Sequence, residues 1–156
     1  MPATLFDVLP PEARANRTGL ELLRAMISGE FAQPPIGGVL DFEIVEAAPG
    51  LAVFEGTPRA AFYNPLGGIH GGWTATLLDS AMACAVWTNL AAGQFYTTVE
   101  FKLNCIRPIT EATGRVRCEG RVVNAGRTIA TSEGKLFDAG GKLLAHGTET
   151  CLIFPP

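Results

Sequence analysis

Apolar and polar residues alternate with a period of two through most of the second half of the chain. The alternation predicts four β-strands, at residues 98–104, 115–123, 128–137 and 143–153. The first of these is expected to divide its side chains between an apolar face (Val99, Phe101 and Leu103) and a polar face (Thr98, Glu100 and Lys102). The glycine-rich residues 138–142 predict a hairpin turn between the last two strands.

The first half of the chain combines helical spacing with two shorter strand patterns. Residues 16–30 predict an amphipathic helix, with Thr18 as its candidate cap and Gly29 as its stop. Proline and glycine pairs at 34–38 are expected to break the chain before strands at 39–46 and 51–56. A nearly uncharged apolar stretch then predicts a long buried helix that opens at residues 70–72, runs to about Ala92 and is closed by Gly93.

Strands that follow one another without intervening helices pair mostly as antiparallel neighbours. We therefore expect an α+β fold, in which one curved antiparallel sheet packs against a single long helix. The 156 residues fit one domain, residues 1–156, with a helical N-terminal extension over about residues 1–37.

Composition narrows the classes of function. A net charge of −3 argues against a dedicated nucleic-acid binder, and 47% hydrophobic residues hint at an oligomer that hides apolar surface. Residues 1–58 are acidic, whereas residues 101–127 are basic. The basic segment is expected either to bind a phosphorylated small ligand or to form the solvent-exposed face of a strand.

The cysteines and the apolar stretch at 73–92 indicate an intracellular, non-membrane protein. No C-x-x-C pair occurs, so the cysteines are expected to be buried free thiols in a reducing compartment such as the cytoplasm: Cys84, Cys105, Cys118 and Cys151. Asp79 and Asn89 interrupt the apolar stretch and cationic anchors do not flank it, which favours a buried helix over a membrane span.

Asp79 is the only charged residue between Arg59 and Glu100. A lone carboxylate among apolar neighbours is costly to bury unless it is paired, hydrogen-bonded or partly protonated. Asp79 is therefore the first candidate for chemistry.

Several polar groups precede Asp79 at the predicted start of its helix. A helix N-terminus presents unpaired N–H groups, and Gly71 and Gly72 leave them open to a ligand. Such a site suits a phosphate, a carboxylate or a carbonyl under attack, although paired glycines also serve tight turns. Asn64 either starts a turn or donates its amide to the same oxygen, and His70 is either a general base or a turn-fixing residue.

The spacing of these residues separates them into two groups. Asp79 lies eight residues beyond Gly71, which is about 12 Å along a helix axis. A donor that polarises a carbonyl and a base that activates water must both lie near one carbon atom. The spacing therefore favours a dimer-interface site, with Gly71 and Asn64 from one chain and Asp79 from the other.

The run Asn64-Pro-Leu-Gly-Gly-Ile-His70-Gly71-Gly72, followed by Asp79 on an apolar helix, resembles the signature of PaaI-like hotdog-fold acyl-CoA thioesterases. The similarity continues in order through 98–102, 107–108, 126–127 and 140–150, and covers roughly residues 38–153. It implies a hotdog fold, with an antiparallel sheet wrapped around a central helix. It also implies edge-to-edge homodimers, often assembled into homotetramers, that hydrolyse acyl-CoA.

The resemblance implies a role for each matching residue. Gly71 donates its backbone N–H to the thioester carbonyl, and Asn64 polarises or orients the same group. Asp79 acts as general base on water or as nucleophile. Thr98, or its neighbour Thr97, matches a hydroxyl position that helps to place the water.

Further roles follow from the same resemblance. Gly72 and His70 belong to the matched motif at the start of the helix, and Arg127 matches a basic position that faces CoA phosphates. The helix at 16–30 is expected to shape a pocket for a medium-chain or aromatic acyl group. We expect no cofactor and no metal, because His70 and His146 form no metal-ligand spacing with Asp79.

Two other functions remain open from the sequence. A hotdog-fold hydratase or dehydratase also uses an acid and a histidine, but no second acid is placed with His70. A non-catalytic acyl-CoA binding module would be expected to lack the helix acid, and Asp79 is present. The expected partners are an acyl-CoA substrate and further copies of the chain, with neither nucleic acid nor membrane.

Overall fold

The computed structural model describes residues 5–156, so residues 1–4 of the predicted N-terminal extension lie outside it. Within these residues the helices are α1 (Pro11–Asn16), α2 (Gly19–Ser28), α3 (Pro35–Leu40) and α4 (Gly71–Trp87). The strands are β1 (Phe42–Ala48), β2 (Leu51–Gly56), β3 (Phe95–Cys105), β4 (Val116–Ala125), β5 (Ile129–Phe137) and β6 (Leu143–Phe154).

The six strands form one sheet in the order β1-β2-β4-β5-β6-β3, and every neighbouring pair is antiparallel. Helix α4 crosses this sheet and contacts β2 to β6. Its inner residues, among them Leu77, Leu78 and Met82, are fully buried in the main core. The predicted α+β architecture, a curved antiparallel sheet against one long helix, is confirmed.

The local signals around α2 give the helix that the sequence predicts. Thr18 is the N-cap, and its side chain and that of Glu21 bond reciprocally to the backbone as a capping box. Gly29 ends the helix in the left-handed conformation, at φ 79°. Helix α2 packs against β1 and α4 and so covers one end of the core.

The segment at 34–40 differs from its prediction. Residues 34–38 were expected to break the chain and residue 39 to start a strand, but 35–40 form helix α3 and the strand starts at Phe42. Pro35 is tolerated because it occupies the first turn of the helix, where its missing N–H is not needed. The Trp73 indole donates to the Leu40 carbonyl at 2.8 Å and fixes the end of α3 against α4.

Helix α4 ends at Trp87, earlier than the predicted Ala92, and Gly93 is not its cap. The residues after it bind neighbouring segments instead of continuing the helix. The Thr88 hydroxyl accepts from the Gly50 N–H at 2.7 Å, and the Leu90 carbonyl accepts from the Gly19 N–H at 3.2 Å. These tertiary contacts outweigh a local sequence that is compatible with helix.

Strand β3 lies at an edge of the sheet and contains a β-bulge. Thr98 pairs with Cys151 and Glu100 with Thr150, so Val99 is an extra residue. The predicted alternation of faces is therefore wrong at this point, and Val99 and Phe101 are 53% and 41% exposed. The edge strand thus presents apolar side chains to its surroundings.

Three of the six basic residues in segment 101–127 are ion-paired in the structure. Three arginines of the β4 region form ion pairs with glutamates of β1, β2 and β4: Arg115 with Glu43 and Glu55, Arg117 with Glu46, Glu55 and Glu119, and Arg121 with Glu119. Because these arginines are paired with glutamates, they are better explained as part of a solvent-exposed strand face than as a phosphate-binding site.

All four cysteines are free; Cys118 and Cys151 are buried as expected, Cys84 is partly buried, and Cys105 is exposed. It lies at the end of the edge strand β3, where a strand neighbour is present on one side only. In residues 5–156, no helix is both long and apolar enough to cross a membrane.

Candidate active site

The loop before α4 is folded by its own polar groups. The Asn64 side-chain oxygen accepts from the Leu66 N–H at 2.8 Å and more weakly from the Gly68 N–H at 3.4 Å. Asn64 therefore does act as a turn residue. Its oxygen is used in the turn, so what the side chain can offer a ligand is its NH₂ group.

His70 caps α4 and occupies the backbone N–H of Gly72, which leaves the N–H of Gly71 free for a ligand. Its Nδ1 accepts from the Gly72 N–H at 2.9 Å, so this nitrogen is unprotonated and the Gly72 donor is occupied. Gly71 is exposed, and an added Cβ at Gly71 would meet no atom within 4 Å. The first N–H groups of a helix have no intrahelical acceptor. Gly71 thus presents the accessible donor of the pair.

Asn64 and Gly71 line one cavity of about 320 Å³. Cys105 and the residues that follow β3 form its other side, with Arg107 among them. The Arg107 guanidinium also donates to the Leu143 carbonyl at 2.5 Å, which holds it near this cavity. The structure therefore brings together two predicted site residues and one cation.

Asp79 does not line this cavity. It is half-buried on α4, and its Oδ1 lies 3.1 Å from the Thr98 hydroxyl oxygen on β3. Burial raises the pKa of Asp79 above its ordinary range, while the hydrogen bond from Thr98 opposes the rise. Such a carboxylate is a better proton acceptor than a fully solvated one.

Glu149 completes this second group and was not predicted from the sequence. Its Oε1 lies 3.0 Å from the same Thr98 oxygen, and the side chain is buried on β6 with the residue only 1% exposed. Burial raises the pKa of Glu149 to about 7. A signal was present, because period-two alternation along β6 places Glu149 on the same inner face as buried Ala145 and Cys151.

The remaining candidates lie apart from both groups. Thr97 is exposed and its neighbour Thr98 is the residue beside Asp79. Arg127 lines a cavity of about 170 Å³ with Leu90 and Gln94, beyond the C-terminal end of α4 and thus opposite the Gly71 end. Near the start of α4, the Trp73 ring is buried and stacks on Phe62, so these two aromatic rings serve packing.

One chain therefore holds two separate half-sites. The first offers hydrogen-bond donors at the start of α4, which suit a carbonyl oxygen. The second offers a carboxyl group of raised pKa with a hydroxyl neighbour, which suits activation of water. Acyl transfer to water needs both.

Comparison with known proteins agrees with this chemistry. Residues 66–145 match the family model of the thioesterase superfamily. Acyl-coenzyme A thioesterase 13 of Homo sapiens is 31% identical over 133 residues, which span 83% of this chain and 90% of that protein. Proofreading thioesterase EntH of Klebsiella pneumoniae is 30% identical over 93 residues, spanning 60% of this chain and 66% of that protein.

Solved structures give the same result. A phenylacetic acid degradation-related protein from Ralstonia eutropha JMP134 superposes with a TM-score of 0.75 at 30% identity, covering 83% of this chain and 98% of that one. A mutant of phenylacetic acid degradation protein PaaI from Thermus thermophilus gives 0.68 at 32% identity, covering 76% and 97%. The chain has the hotdog fold, belongs to the thioesterase superfamily and is a thioester hydrolase.

Proposed function

We propose that the chain hydrolyses acyl-CoA thioesters at a site shared by two copies of itself. The observation that carries this proposal is the separation of the two half-sites on one chain. Asp79 contacts Thr98 in the first half of β3, whereas the cavity of Asn64 and Gly71 borders Cys105 at the end of β3. Neither half-site is complete alone.

The free edge of β3 supports a dimer in which the two half-sites of different copies lie together. In an antiparallel strand pair, the beginning of one strand lies beside the end of the other. Two β3 strands paired in this way would place Asp79 of each copy near the Gly71 cavity of the other. Exposed apolar residues on this edge, Val99 and Phe101 among them, favour its burial against a second copy.

The reaction follows from the groups that meet there. The Gly71 N–H and the Asn64 NH₂ bind the thioester oxygen, and Asp79 accepts a proton from a water held with Thr98. The resulting hydroxide attacks the carbonyl carbon, and the negative charge on oxygen is stabilised by the two donors. The carbon–sulfur bond then breaks, and the thiolate takes up the proton to give the acid and free CoA.

The acyl-CoA substrate is supported by the relatives and by charge. The human relative is named an acyl-coenzyme A thioesterase. Arg107 on the cavity wall supplies a cation for the phosphates of CoA. Arg127 lies at the other end of α4. In the proposed site it can contact CoA phosphates only where CoA reaches from the Gly71 cavity of one copy to Arg127 of the second copy. The family resemblance leads us to expect a medium-chain or aromatic acyl group, which the panel of substrates below is designed to identify.

Replacement of Asp79 tests the proposal. A panel of short, medium, long and aromatic acyl-CoAs is assayed for thiol release with the wild type and with Asp79→Asn. We expect kcat of the variant to fall by at least about a hundredfold, because the general base is lost, with CoA binding retained. Glu133→Gln, which neutralises an exposed carboxyl on β5, is the matched control and should keep wild-type turnover. Full turnover by Asp79→Asn would refute the site, and an inactive wild type across the panel would refute the substrate class.

A further inference from the structure

The Thr98 hydroxyl lies between the carboxyl groups of Asp79 and Glu149, and it can donate its hydrogen to only one of them. Its oxygen is 3.1 Å from Asp79 Oδ1 and 3.0 Å from Glu149 Oε1. A hydroxyl has one hydrogen to donate and two lone pairs, whereas an ionised carboxylate only accepts. One of the two carboxyl groups must therefore carry a proton for both contacts to be hydrogen bonds.

Burial identifies Glu149 as the group that carries it. Glu149 is 1% exposed, whereas Asp79 is only half-buried. Glu149 Oε2 is buried and has no hydrogen-bond partner within residues 5–156, which is far more costly for a carboxylate than for a neutral acid. Cys151 lies 3.1 Å from Oε1 and supplies only a weak S–H donor.

Within the described part of the chain, the surrounding elements supply no positive charge that would favour ionisation of Glu149. The titratable groups that act on it or on its neighbours are acids, thiols and a phenol: Asp79 and Cys84 from α4, Tyr96 and Glu100 from β3, and Cys151 from β6. On β5, the residue directly opposite is Ser132. Burial, followed by the nearby carboxylates of Asp79 and Glu100, raises the pKa of Glu149 to about 7.

We propose that Glu149, in its neutral form, is a positioning residue for Asp79: its carboxyl donates to the Thr98 oxygen and so directs the single Thr98 hydroxyl hydrogen to Asp79. In this chain of hydrogen bonds, Asp79 remains the only ionised member. When Glu149 loses its proton, it becomes a second acceptor and competes for the same hydrogen. The inference rests on the proposed function, because its catalytic consequence depends on Asp79 acting on water.

The pH dependence of kcat tests this arrangement. Thioester loss is followed by absorbance at pH 5.5–9 for the wild type and for Glu149→Gln, whose amide stays neutral and can still donate. We expect wild-type kcat to fall by about tenfold above a pKa near 7 as Thr98 is drawn away from Asp79. The variant should lose this fall. An unchanged fall in Glu149→Gln would overturn the proposal.

Variants at Thr98 separate a role through the hydroxyl from a general effect on structure. Thr98→Ser keeps the hydroxyl and should keep the fall in kcat, whereas Thr98→Val should abolish it. In the Thr98→Val background, Glu149→Gln should have no further effect, because the coupling passes through the missing oxygen. Equal effects of Glu149→Gln with and without the Thr98 hydroxyl would contradict the proposal.

Infrared spectroscopy tests the proton without any substrate. The carbonyl stretch of a protonated acid should be present at pH 6, disappear near pH 7–8 and be missing in Glu149→Gln but not in Glu133→Gln. A Glu149 that is ionised at pH 6 would overturn the inference. If the acyl-CoA panel shows no hydrolysis, the proposed function fails while this measurement still decides the state of Glu149.

Discussion

Asp79 and Glu149 both contact the Thr98 hydroxyl, but we propose that Asp79 is ionised and Glu149 is neutral because their surroundings differ. Asp79 is half-buried and keeps access to water, whereas Glu149 is enclosed between α4 and the sheet. Pairs of titratable groups whose environments separate their pKa values commonly divide the roles of base and proton carrier. In our proposal the less buried acid, Asp79, is the one that takes a proton from water.

At the opposite half-site we propose that the backbone N–H of Gly71 binds the thioester oxygen, and proline can remove this N–H without breaking the helix. Gly71 is the first residue of α4, a position at which proline is well tolerated. His70 precedes it with φ −62° and ψ 135°, the conformation that proline favours in its neighbour. We expect Gly71→Pro to fold normally and to lower kcat by about a hundredfold, the effect of losing one oxyanion donor.

Gly71→Ala is the matched control for this change, because it adds a side chain but keeps the N–H. An added Cβ at Gly71 meets no atom within 4 Å, so both variants should melt close to the wild type. A much smaller loss of kcat in Gly71→Ala than in Gly71→Pro identifies the N–H as the active group. Equal losses of kcat in the two variants would show that activity depends on the open space at Gly71 and not on its N–H donor.

At the scale of elements, the position of Asp79 depends on how closely α4 approaches the sheet. Gly120 on β4 makes that approach possible: a Cβ there would lie 2.0 Å from the backbone oxygen of Ala81. Since Ala81 is two residues from Asp79, α4 cannot move away at this point without shifting the acid from Thr98.

We therefore expect Gly120→Ala to be strongly destabilising. The added methyl overlaps helix backbone, which cannot rotate away as a flexible side chain can, so the loss should be about 3 kcal/mol. The measurement is chemical denaturation of the wild type and the variant, with Gly71→Ala as the control for adding a methyl group where space is open. A change below about 1 kcal/mol would show that the helix and sheet are not held at this distance.

The elements predicted correctly are those whose local signals agree with their packing. Helix α2 follows from Thr18 and Gly29, and the hairpin between β5 and β6 follows from residues 138–142. The errors arise where distant contacts decide the structure. The end of α4 depends on bonds to other segments, and the bulge in β3 depends on its register with β6.

The candidate site divides in the same way. Asp79 stands out in the sequence as a lone charge, and the glycines before it mark the start of α4. Glu149 is the one charged residue of strand β6, and the period-two alternation of that strand places it on the inner face with Ala145 and Cys151, so its burial could have been predicted. Its contact with Thr98 joins residues 51 positions apart, which no local pattern indicates.

At the scale of the whole molecule, the sheet has two open edges of different character. Strand β1 is seven residues long and is flanked by helices α2 and α3, which contact it. Strand β3 is eleven residues long and carries exposed apolar side chains. A long apolar edge favours pairing with another strand, so β3 is the edge at which we place the second copy.

Hybrid dimers test the shared site directly. Asp79→Ala and Asn64→Ala chains with different tags are co-expressed, and the mixed species is purified. In a hybrid, one site combines Asn64 of the first variant with Asp79 of the second and is intact, while the other site lacks both groups. We expect purified hybrids to have about half of the wild-type activity per dimer, and each variant alone to have almost none. As a matched control, Asp79→Ala mixed with Asp79→Asn should give no intact site, because both chains lack the same carboxylate. If the site lay within one chain, the first mixture would be as inactive as the second.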